Sequence, residues 1–276
     1  MIDLRDSVRR RRRRIALCAI AVAASLGVAI AQPADMPQRP VPNGYLGASG
    51  VPDEKVLLPP PPTESSLAGR QDMEIFRSTR AQQNTPRWSL AAGDAAADPA
   101  SVARDFSCAL GVRLDLGRAP ALAHLLGRSI ADAFQVVGPP KERYARPRPF
   151  RRASGAVCVA MSPEFAKSGS YPSGHAAVGW LYALVLSELA PDRSGPILAR
   201  GRSFGDSRVI CGVHYASDVE AGRMAAAGLF AVLQSSADFQ SDASAARAEL
   251  ANLRHEESKP DAASCAVAAD AEQRSW

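Results

Sequence analysis

The chain of 276 residues has few aromatic residues, 6% of the total, and no convincing run of alternating polar and apolar residues. A half-buried strand alternates with a period of two, so this absence argues against β-structure. No Cys-x-x-Cys pair occurs, which argues against a zinc site. Hydrophobic residues still make up 46% of the chain, which excludes a wholly disordered protein. The expectation is an all-α fold, a helical bundle.

Long hydrophobic runs are scarce as well, and the one over residues 15–30 directly follows six consecutive arginines. A basic segment, an apolar segment and Ala-Ile-Ala at 29–31 are typical of a secretory signal peptide cleaved after Ala31. Sixteen uncharged residues fall short of the roughly 20 that span a bilayer. We therefore expect residues 1–31 to be a signal peptide for a periplasmic or secreted protein without a stable membrane anchor. The Sec and twin-arginine export routes both remain open.

The net charge of +5 belongs to this leader. Its removal takes away seven arginines and two aspartates and leaves 26 basic and 26 acidic residues. A balanced mature chain gives no electrostatic reason to expect a nucleic-acid partner. Any functional positive charge must therefore be local.

The mature chain divides by composition. Residues 32–62 contain nine of the 21 prolines, which predicts an extended arm. A helical domain is expected over 63–240, followed by a C-terminal helix and a flexible tail over 241–276. The spacing of apolar residues predicts the following helices: 119–137, ended by Gly138-Pro139-Pro140, then 174–190, 196–211, 214–233 and 242–255.

Three polar clusters stand out, at residues 141–149, 169–175 and 207–218. Taken singly, each has an ordinary explanation as a solvated cation run, a helix cap or a structural histidine. Taken together, they describe an anion site, because Lys141, Arg148 and Arg208 are able to neutralise a tetrahedral oxyanion.

The histidines add chemistry to this anion site. Ser173 and Gly174 precede a predicted helix, whose N-terminus favours an anion, and His175 lies beside it. His214 and Asp218 are four residues apart, so on a helix they share one face and the carboxylate orients the imidazole. An oriented imidazole with one free nitrogen is a nucleophile.

These blocks carry a family resemblance. Lys141-x6-Arg148-Pro149, Pro172-Ser-Gly-His175 and Ser207-Arg208-x5-His214-x3-Asp218 resemble the three-part signature of the phosphatidic-acid-phosphatase type 2 superfamily. Gly169-Ser-Tyr-Pro-Ser-Gly-His175 and Gly205-x-Ser207-Arg-Val-Ile-Cys-Gly212 are similar to the secreted bacterial class A non-specific acid phosphatases. The resemblance extends from about residue 57 to residue 239.

The resemblance implies an acid phosphatase that hydrolyses a broad range of small phosphate monoesters without a metal or other cofactor. His214 is the implied nucleophile and forms a phosphohistidine, oriented by Asp218. His175 is the implied acid, which protonates the leaving oxygen and then activates water. The phosphoryl oxygens would be bound by Lys141, Arg148, Ser173, Gly174 and Arg208. Inhibition by vanadate and homodimerisation are further expectations of the family.

The resemblance also bears on the cysteines. Four of them, Cys108, Cys158, Cys211 and Cys265, remain after export, and an oxidising compartment permits three pairings or free thiols. We favour a disulfide between Cys158 and Cys211, because both flank signature blocks that must converge. A Cys108–Cys265 pair is less secure, since Cys265 lies in the predicted tail.

Three positions depart from the family pattern. Ala176 stands where a threonine commonly follows the histidine, and Tyr215 stands where a tryptophan is common. Gly138-Pro139-Pro140 interrupts a helix that in relatives runs into the lysine, and would place Lys141 at a new helix start. Two other functions remain open: a vanadate-dependent haloperoxidase of the same superfamily, and an exported phosphate-binding protein without turnover. The preferred substrate is open as well.

Overall fold

The computed structural model describes residues 43–96, 98–256 and 259–273. The predicted signal peptide and arm residues 32–42 lie outside these ranges. The described residues form helices and no strand, which confirms the all-α fold. None of their helices is long and apolar enough to cross a bilayer. In chain order the helices are α1 (Gly47–Gly50), α2 (Glu54–Leu57), α3 (Leu67–Thr79), α4 (Pro86–Gly93), α5 (Pro99–Asp105), α6 (Ser107–Leu110), α7 (Pro120–Tyr144), α8 (Pro163–Lys167), α9 (Gly174–Leu189), α10 (Ser194–Ile210), α11 (Ala216–Leu233), α12 (Ala237–His255) and α13 (Ala262–Glu272).

Helix α9 is the centre of the bundle. It is apolar on nearly every face, and it packs most extensively against α10 and α11 and also against α7. The crossing with α10 is close because glycines lie in it: a Cβ on Gly179 would overlap the ring of Phe204, and one on Gly201 would overlap Ala183. This close packing brings the N-terminus of α9 beside the C-terminal end of α10.

Helix α7 corrects the sequence-based prediction of a helix end at Gly138. It continues through Pro139 and Pro140 to Tyr144 and therefore carries Lys141 in its last turn rather than at a new helix start. Each interior proline removes a backbone donor and costs about 3 kcal/mol. Pro139 lies on the exposed face, where water can hydrate the carbonyl group left without a donor, while Val137 and Pro140 are buried. Packing thus outweighs the local preference.

The described part of the proline-rich arm is only partly extended. Residues 43–58 contain the short helices α1 and α2, which corrects the prediction of a continuous extended arm. Tyr45 donates its backbone N–H to the buried carboxylate of Asp132 on α7 at 2.7 Å, and Leu58 is buried in the core. Leu58 has an extended backbone conformation, and residues 59–63 belong to no helix.

The boundary of α11 differs from the prediction by two residues, and this changes the geometry of one pair. His214 precedes the helix instead of lying on it, while Asp218 lies in its first turn. The two side chains therefore do not meet as successive turns of one helix. They meet because Gly212, at φ +74°, turns the chain sharply after α10.

The C-terminal region is more ordered than predicted. Helix α12 begins five residues earlier than expected and buries Phe239 and Leu250 in the same core as α7. The predicted flexible tail is wrong for residues 262–272, which form α13. A disulfide between Cys108 and Cys265 attaches α13 to α6. Cross-linking, which the sequence alone does not specify, holds this alanine-rich segment in place.

A second disulfide joins Cys158 to Cys211, the pairing favoured from the sequence. The backbone N–H of Cys158 also donates to the carbonyl group of Cys211 at 3.2 Å. Cys211 is the first residue after α10 and lies three residues before His214. The bridge therefore ties the 153–162 loop to the segment that carries His214.

Candidate active site

The N-terminus of α9 forms one side of the site. Ser173 is its N-cap, and its buried Oγ accepts the backbone N–H of Ala176 at 3.3 Å. The backbone N–H of Ser173 donates to the carbonyl group of Asp218 at 2.9 Å, which fixes the start of α9 to α11. Gly174 then opens the first turn without a side chain. The positive end of the helix dipole consequently points toward the region that is lined by Lys141, Arg148 and His214.

Lys141 enters this region from the last turn of α7. Its ammonium group donates to the carbonyl groups of Gly169 and Pro172 at 3.0 and 2.8 Å. Burial, followed by the nearby cation of Arg148, lowers the pKa of Lys141 to about 8. The loop before α9 thus holds the ammonium group in place without neutralising it.

Arg148 is buried and bound mainly by uncharged groups. Its guanidinium group donates to the carbonyl group of Val213 at 2.8 Å and to Ser168 Oγ at 3.0 Å, and it lies 4.1 Å from the ring of Phe165. It also lies 3.1 Å from Nε2 of His214. Burial lowers the pKa of Arg148 to about 10, because Asp218 offsets only part of the desolvation.

Arg208, in the last turn of α10, is the least satisfied cation of the group. It is buried, yet Nε and Nη1 make no hydrogen bond to any residue in the described ranges. Burial and the cation of Arg148 lower its pKa to about 10. A buried donor without an acceptor costs roughly 1–3 kcal/mol, and more when the group is charged. Such a guanidinium group is suited to an anionic ligand.

His214 and Asp218 meet as expected, although the contact has additional members. Nδ1 of His214 lies 3.5 Å from Oδ2 of Asp218, and Ser170 Oγ lies 3.3 Å from the same nitrogen. Ser170 also donates to Asp218 Oδ2, and so does the backbone N–H of Tyr215 at 2.9 Å. These donors hold the carboxylate in place, and the carboxylate in turn orients the imidazole.

Sequence reasoning missed Arg146 and Ser170 as parts of this arrangement. Arg146 donates to Asp218 Oδ1 at 2.6 Å and to Asp72 at 2.8 Å, and its guanidinium group lies 4.1 Å from the ring of Tyr215. Both residues stand inside blocks that the sequence singled out, but nothing in the sequence shows that their side chains converge on Asp218. Tyr215 therefore keeps an aromatic ring beside this arginine at the position where a tryptophan is common.

His175 lies in the first turn of α9, facing the cations. Nε2 lies 3.2 Å from the carbonyl oxygen of Ala95, and the ring stacks nearly parallel to Phe204 at 6.1 Å between centroids. Burial, then Arg208, and to a smaller extent Arg148 and Lys141, lower the pKa of His175 to about 3. Without an anion bound, this imidazole is neutral at ordinary pH.

A cavity of about 270 Å³ joins these groups. Lys141, Arg148, Gly174, His175 and His214 line it, whereas Ser173, Arg208 and Asp218 are not part of its lining. The rest of the lining is apolar: Val102, Phe134, Phe165, Val178 and Phe204. No carboxylate lines it within the described part of the chain. A larger groove of about 1340 Å³ is lined by Arg146 and Tyr215 among others, but neither His175 nor His214 lines it.

Comparison with known proteins places the chain among phosphatases. The PAP2 superfamily model matches residues 121–240. An acid phosphatase from Zymomonas mobilis is 41% identical over 216 residues, which cover 78% of this chain and 82% of the relative. A non-specific acid phosphatase from Providencia stuartii is 42% identical, and the match covers 76% of this chain and 86% of the relative. One from Salmonella typhimurium is 39% identical, with the same coverage.

A bacterial vanadium-dependent iodoperoxidase of known structure also matches, with a TM-score of 0.47 and 17% identity. The match covers 63% of this chain and about half, 52%, of the iodoperoxidase. The sequence relatives are far more similar and are matched over most of their length. The chain is therefore an enzyme of the bacterial class A acid phosphatase family, within the PAP2 superfamily.

Proposed function

We propose that the chain hydrolyses small phosphate monoesters of broad range through a phosphohistidine formed on His214. The observation that carries this proposal is the set of buried cations around His214, Lys141, Arg148 and Arg208, with Nε and Nη1 of Arg208 unbonded within the described residues. A phosphoryl group bound there satisfies those donors and lies beside a nucleophile. Positioning and charge neutralisation are what phosphoryl transfer chiefly needs from a protein.

His214 has the protonation state that a nucleophile needs. Burial and the cations of Arg148, Lys141 and Arg208 hold its pKa well below the ordinary value of a histidine, so the imidazole is neutral. Nδ1 faces Asp218 and Ser170, so it carries the proton and leaves the lone pair on Nε2. Nε2 is directed toward Arg148 and the cavity.

The reaction then has two steps. In the first, the lone pair on His214 Nε2 forms a bond to phosphorus while the bond to the ester oxygen breaks, and His175 donates a proton to that oxygen. In the second, His175 accepts a proton from water, whose oxygen attacks phosphorus, and the P–N bond breaks to release phosphate. Arg146, Ser170 and Asp218 hold the imidazole of His214 throughout.

The acidic working range follows from the electrostatics of His175. In the free enzyme its pKa is about 3, so little of it carries the proton required for the first step. A bound phosphate dianion offsets the nearby cations and raises this pKa. Protonation is therefore coupled to substrate binding, and the rate is expected to rise as the pH falls from neutral. It falls again once the substrate itself is protonated, which gives a bell-shaped profile.

The test of this proposal compares two histidine variants. His214→Ala is expected to lower phosphate release from p-nitrophenyl phosphate by about 1,000-fold or more, because the nucleophile is gone. His124→Ala is the matched control, because His124 lies on the exposed side of α7 and does not line the cavity. Wild-type turnover by purified His214→Ala would overturn the mechanism.

We further propose that catalysis needs no metal, since the three cations supply the charge that a metal ion supplies in other phosphatases. Full activity after treatment with EDTA, together with inhibition by vanadate as a five-coordinate phosphorus mimic, is the expected result. Loss of activity in EDTA that zinc restores would contradict it.

Export to the periplasm or medium is proposed from the sequence of residues 1–31. N-terminal sequencing of the protein recovered from the periplasm tests it. The mature chain is expected to begin at Gln32. An intact Met1 on active protein would contradict cleavage.

A further inference from the structure

A buried charge cluster lies behind the cavity, at the turn that follows α4. Asp94 accepts two hydrogen bonds from the guanidinium group of Arg200, one of them at 3.2 Å from Nη1, and both side chains are buried. Asp94 also accepts the hydroxyl group of Ser207 at 2.5 Å. Arg200 and Ser207 both belong to α10. Asp94 therefore fixes this turn to the inner face of α10.

The neighbouring residue of the same turn touches the catalytic machinery. The carbonyl oxygen of Ala95 lies 3.2 Å from Nε2 of His175. Ser207, on the other side, directly precedes Arg208 in the sequence. One turn thus connects the proposed general acid to the helix that carries a phosphate-binding arginine.

The contact with Ala95 decides which ring nitrogen of His175 is available for chemistry. A carbonyl oxygen only accepts hydrogen bonds, so Nε2 must carry a proton to donate to it. In the neutral imidazole Nδ1 is then unprotonated, and it takes up the second proton when an anion binds. Stacking against Phe204 fixes the plane of the ring. Proton transfer to the leaving oxygen therefore passes through Nδ1.

We propose that Asp94 is a positioning residue for the general acid: by anchoring the turn, it keeps the Ala95 carbonyl group on Nε2 of His175 and so presents Nδ1 to the leaving oxygen. This inference rests on the proposed function, because it assigns a role within the same reaction. Asp94 itself touches neither the cavity nor the substrate.

A leaving-group series separates this role from a merely structural one. A poor leaving group, such as the alkoxide of an alkyl phosphate, needs the proton from His175, whereas dinitrophenolate leaves without it. Asp94→Asn is expected to lower kcat/KM for an alkyl phosphate by roughly 10- to 100-fold through misplacement of His175. For 2,4-dinitrophenyl phosphate the loss is expected to stay below about threefold, since the acid contributes little there.

Glu272→Gln is the matched control. Glu272 lies 3.4 Å from the same Arg200 but forms no hydrogen bond with Asp94 or Ala95, so its variant is expected to affect both substrates equally and weakly. Equal losses for both substrates in Asp94→Asn, or no loss, would overturn the proposal. A further combination is that His214→Ala loses all turnover while Asp94→Asn shows an unaltered leaving-group series. That combination would support the proposed function and would exclude the role of Asp94.

Two further measurements apply even if Asp94→Asn does not fold. Ser207→Ala removes one anchor and leaves the Asp94–Arg200 pair, and it should give a smaller loss of the same leaving-group dependence. Nitrogen-15 NMR of the resting enzyme, assigned by the signal missing in His175→Asn, should show the Nε2–H form of His175. A resting Nδ1–H form would overturn the proposal without reference to activity.

A second inference concerns the apolar side of the cavity. Phe134 lies two turns before Lys141 on α7, lines the cavity and is 56% exposed, unusually high for a phenylalanine. Val102, Val178 and Phe165 continue the same wall. These apolar side chains and the cationic side chains line the same cavity. The group that is esterified to a bound phosphate is therefore expected to lie against the apolar wall.

From this arrangement we infer a subsite for aromatic leaving groups, with Phe134 as the ring contact. Phe134→Ala is expected to raise KM for phenyl phosphate roughly 3- to 10-fold, the range of an aromatic contact, and to leave KM for glycerol 2-phosphate unchanged. Met224→Ala is the control, since Met224 is 44% exposed and does not line the cavity. Equal changes for both substrates, or none, would remove the subsite.

Discussion

Helix α10 carries two buried arginines with opposite environments, Arg200 and Arg208. Burial lowers the pKa of Arg200, but the carboxylates of Asp94, Glu272 and Asp105 more than offset this and raise it above its ordinary value. Arg208 lacks a carboxylate at contact distance within the described residues, and its pKa falls to about 10. Removing one partner of a buried ion pair destabilises the fold, whereas a buried cation without a carboxylate partner is suited to an anionic ligand.

The largest effect is expected on the stability of the fold, for substitution of Arg200, the arginine with carboxylate partners. Arg200→Ala removes the guanidinium group that is hydrogen-bonded to the buried carboxylate of Asp94, which should lower the free energy of unfolding by about 3–5 kcal/mol. Denaturant titration of the purified variant measures it. A stability close to that of the wild type would mean that the ion pair does not hold α10 in place.

Substitution of the other arginine should affect activity instead. Arg208→Ala is expected to lower kcat/KM by about 100- to 1,000-fold, the usual cost of losing one donor to transition-state charge. The free energy of unfolding should stay equal or increase without phosphate, because an unsatisfied buried cation is removed. Arg200→Ala is the matched comparison. A large loss of stability with normal kcat/KM would reverse the assigned roles.

Ligand binding should sharpen the contrast. Inorganic phosphate at 100 times its Kd is expected to stabilise the wild type by about 2.7 kcal/mol. The same concentration should stabilise Arg208→Ala much less, while Arg200→Ala should keep most of the effect. Thermal melting with and without phosphate measures this. Equal stabilisation of both variants would show that the anion binds away from Arg208.

Burial of His175, together with the nearby cations, also imposes a pH dependence on the stability of the unliganded enzyme. The pKa of His175 is about 3 in the folded state and near 6.5 when unfolded, so the unfolded chain binds more protons between these values. Stability is therefore lost as the pH falls from about 6.5 toward 3. From pH 7 to 5 the wild type should lose about 2 kcal/mol more than His175→Asn. An equal loss in both proteins would contradict the lowered pKa.

The sequence predicted the site better than its surroundings. The spacing of three sequence blocks groups Lys141, Arg148, His175, His214 and Asp218, and the structure brings these side chains together. Their roles in catalysis stay a prediction. The all-α class followed from the helical spacing of apolar residues.

What the sequence missed depends on tertiary packing. Helix α7 continues past Pro139 with Pro140 buried, and a disulfide joins Cys265 of α13 to Cys108. Neither contact is visible in the local sequence pattern. Arg146 and Ser170 stood inside marked blocks without an assignable partner. Nothing in the sequence around Asp94 indicates its role, because its main partner, Arg200, lies 106 residues away in the chain.

The central claim is that phosphate passes through His214, and trapping the intermediate tests it most directly. His175→Asn should still be phosphorylated by 2,4-dinitrophenyl phosphate, which needs no proton, but should lose phosphate slowly for lack of a base. Alkaline quenching, digestion and mass spectrometry are expected to find one phosphoryl group on the peptide that contains His214, and none in the His175→Asn/His214→Ala double variant. Rapid turnover without a phosphorylated peptide, or a phosphoryl group on another residue, would contradict the account.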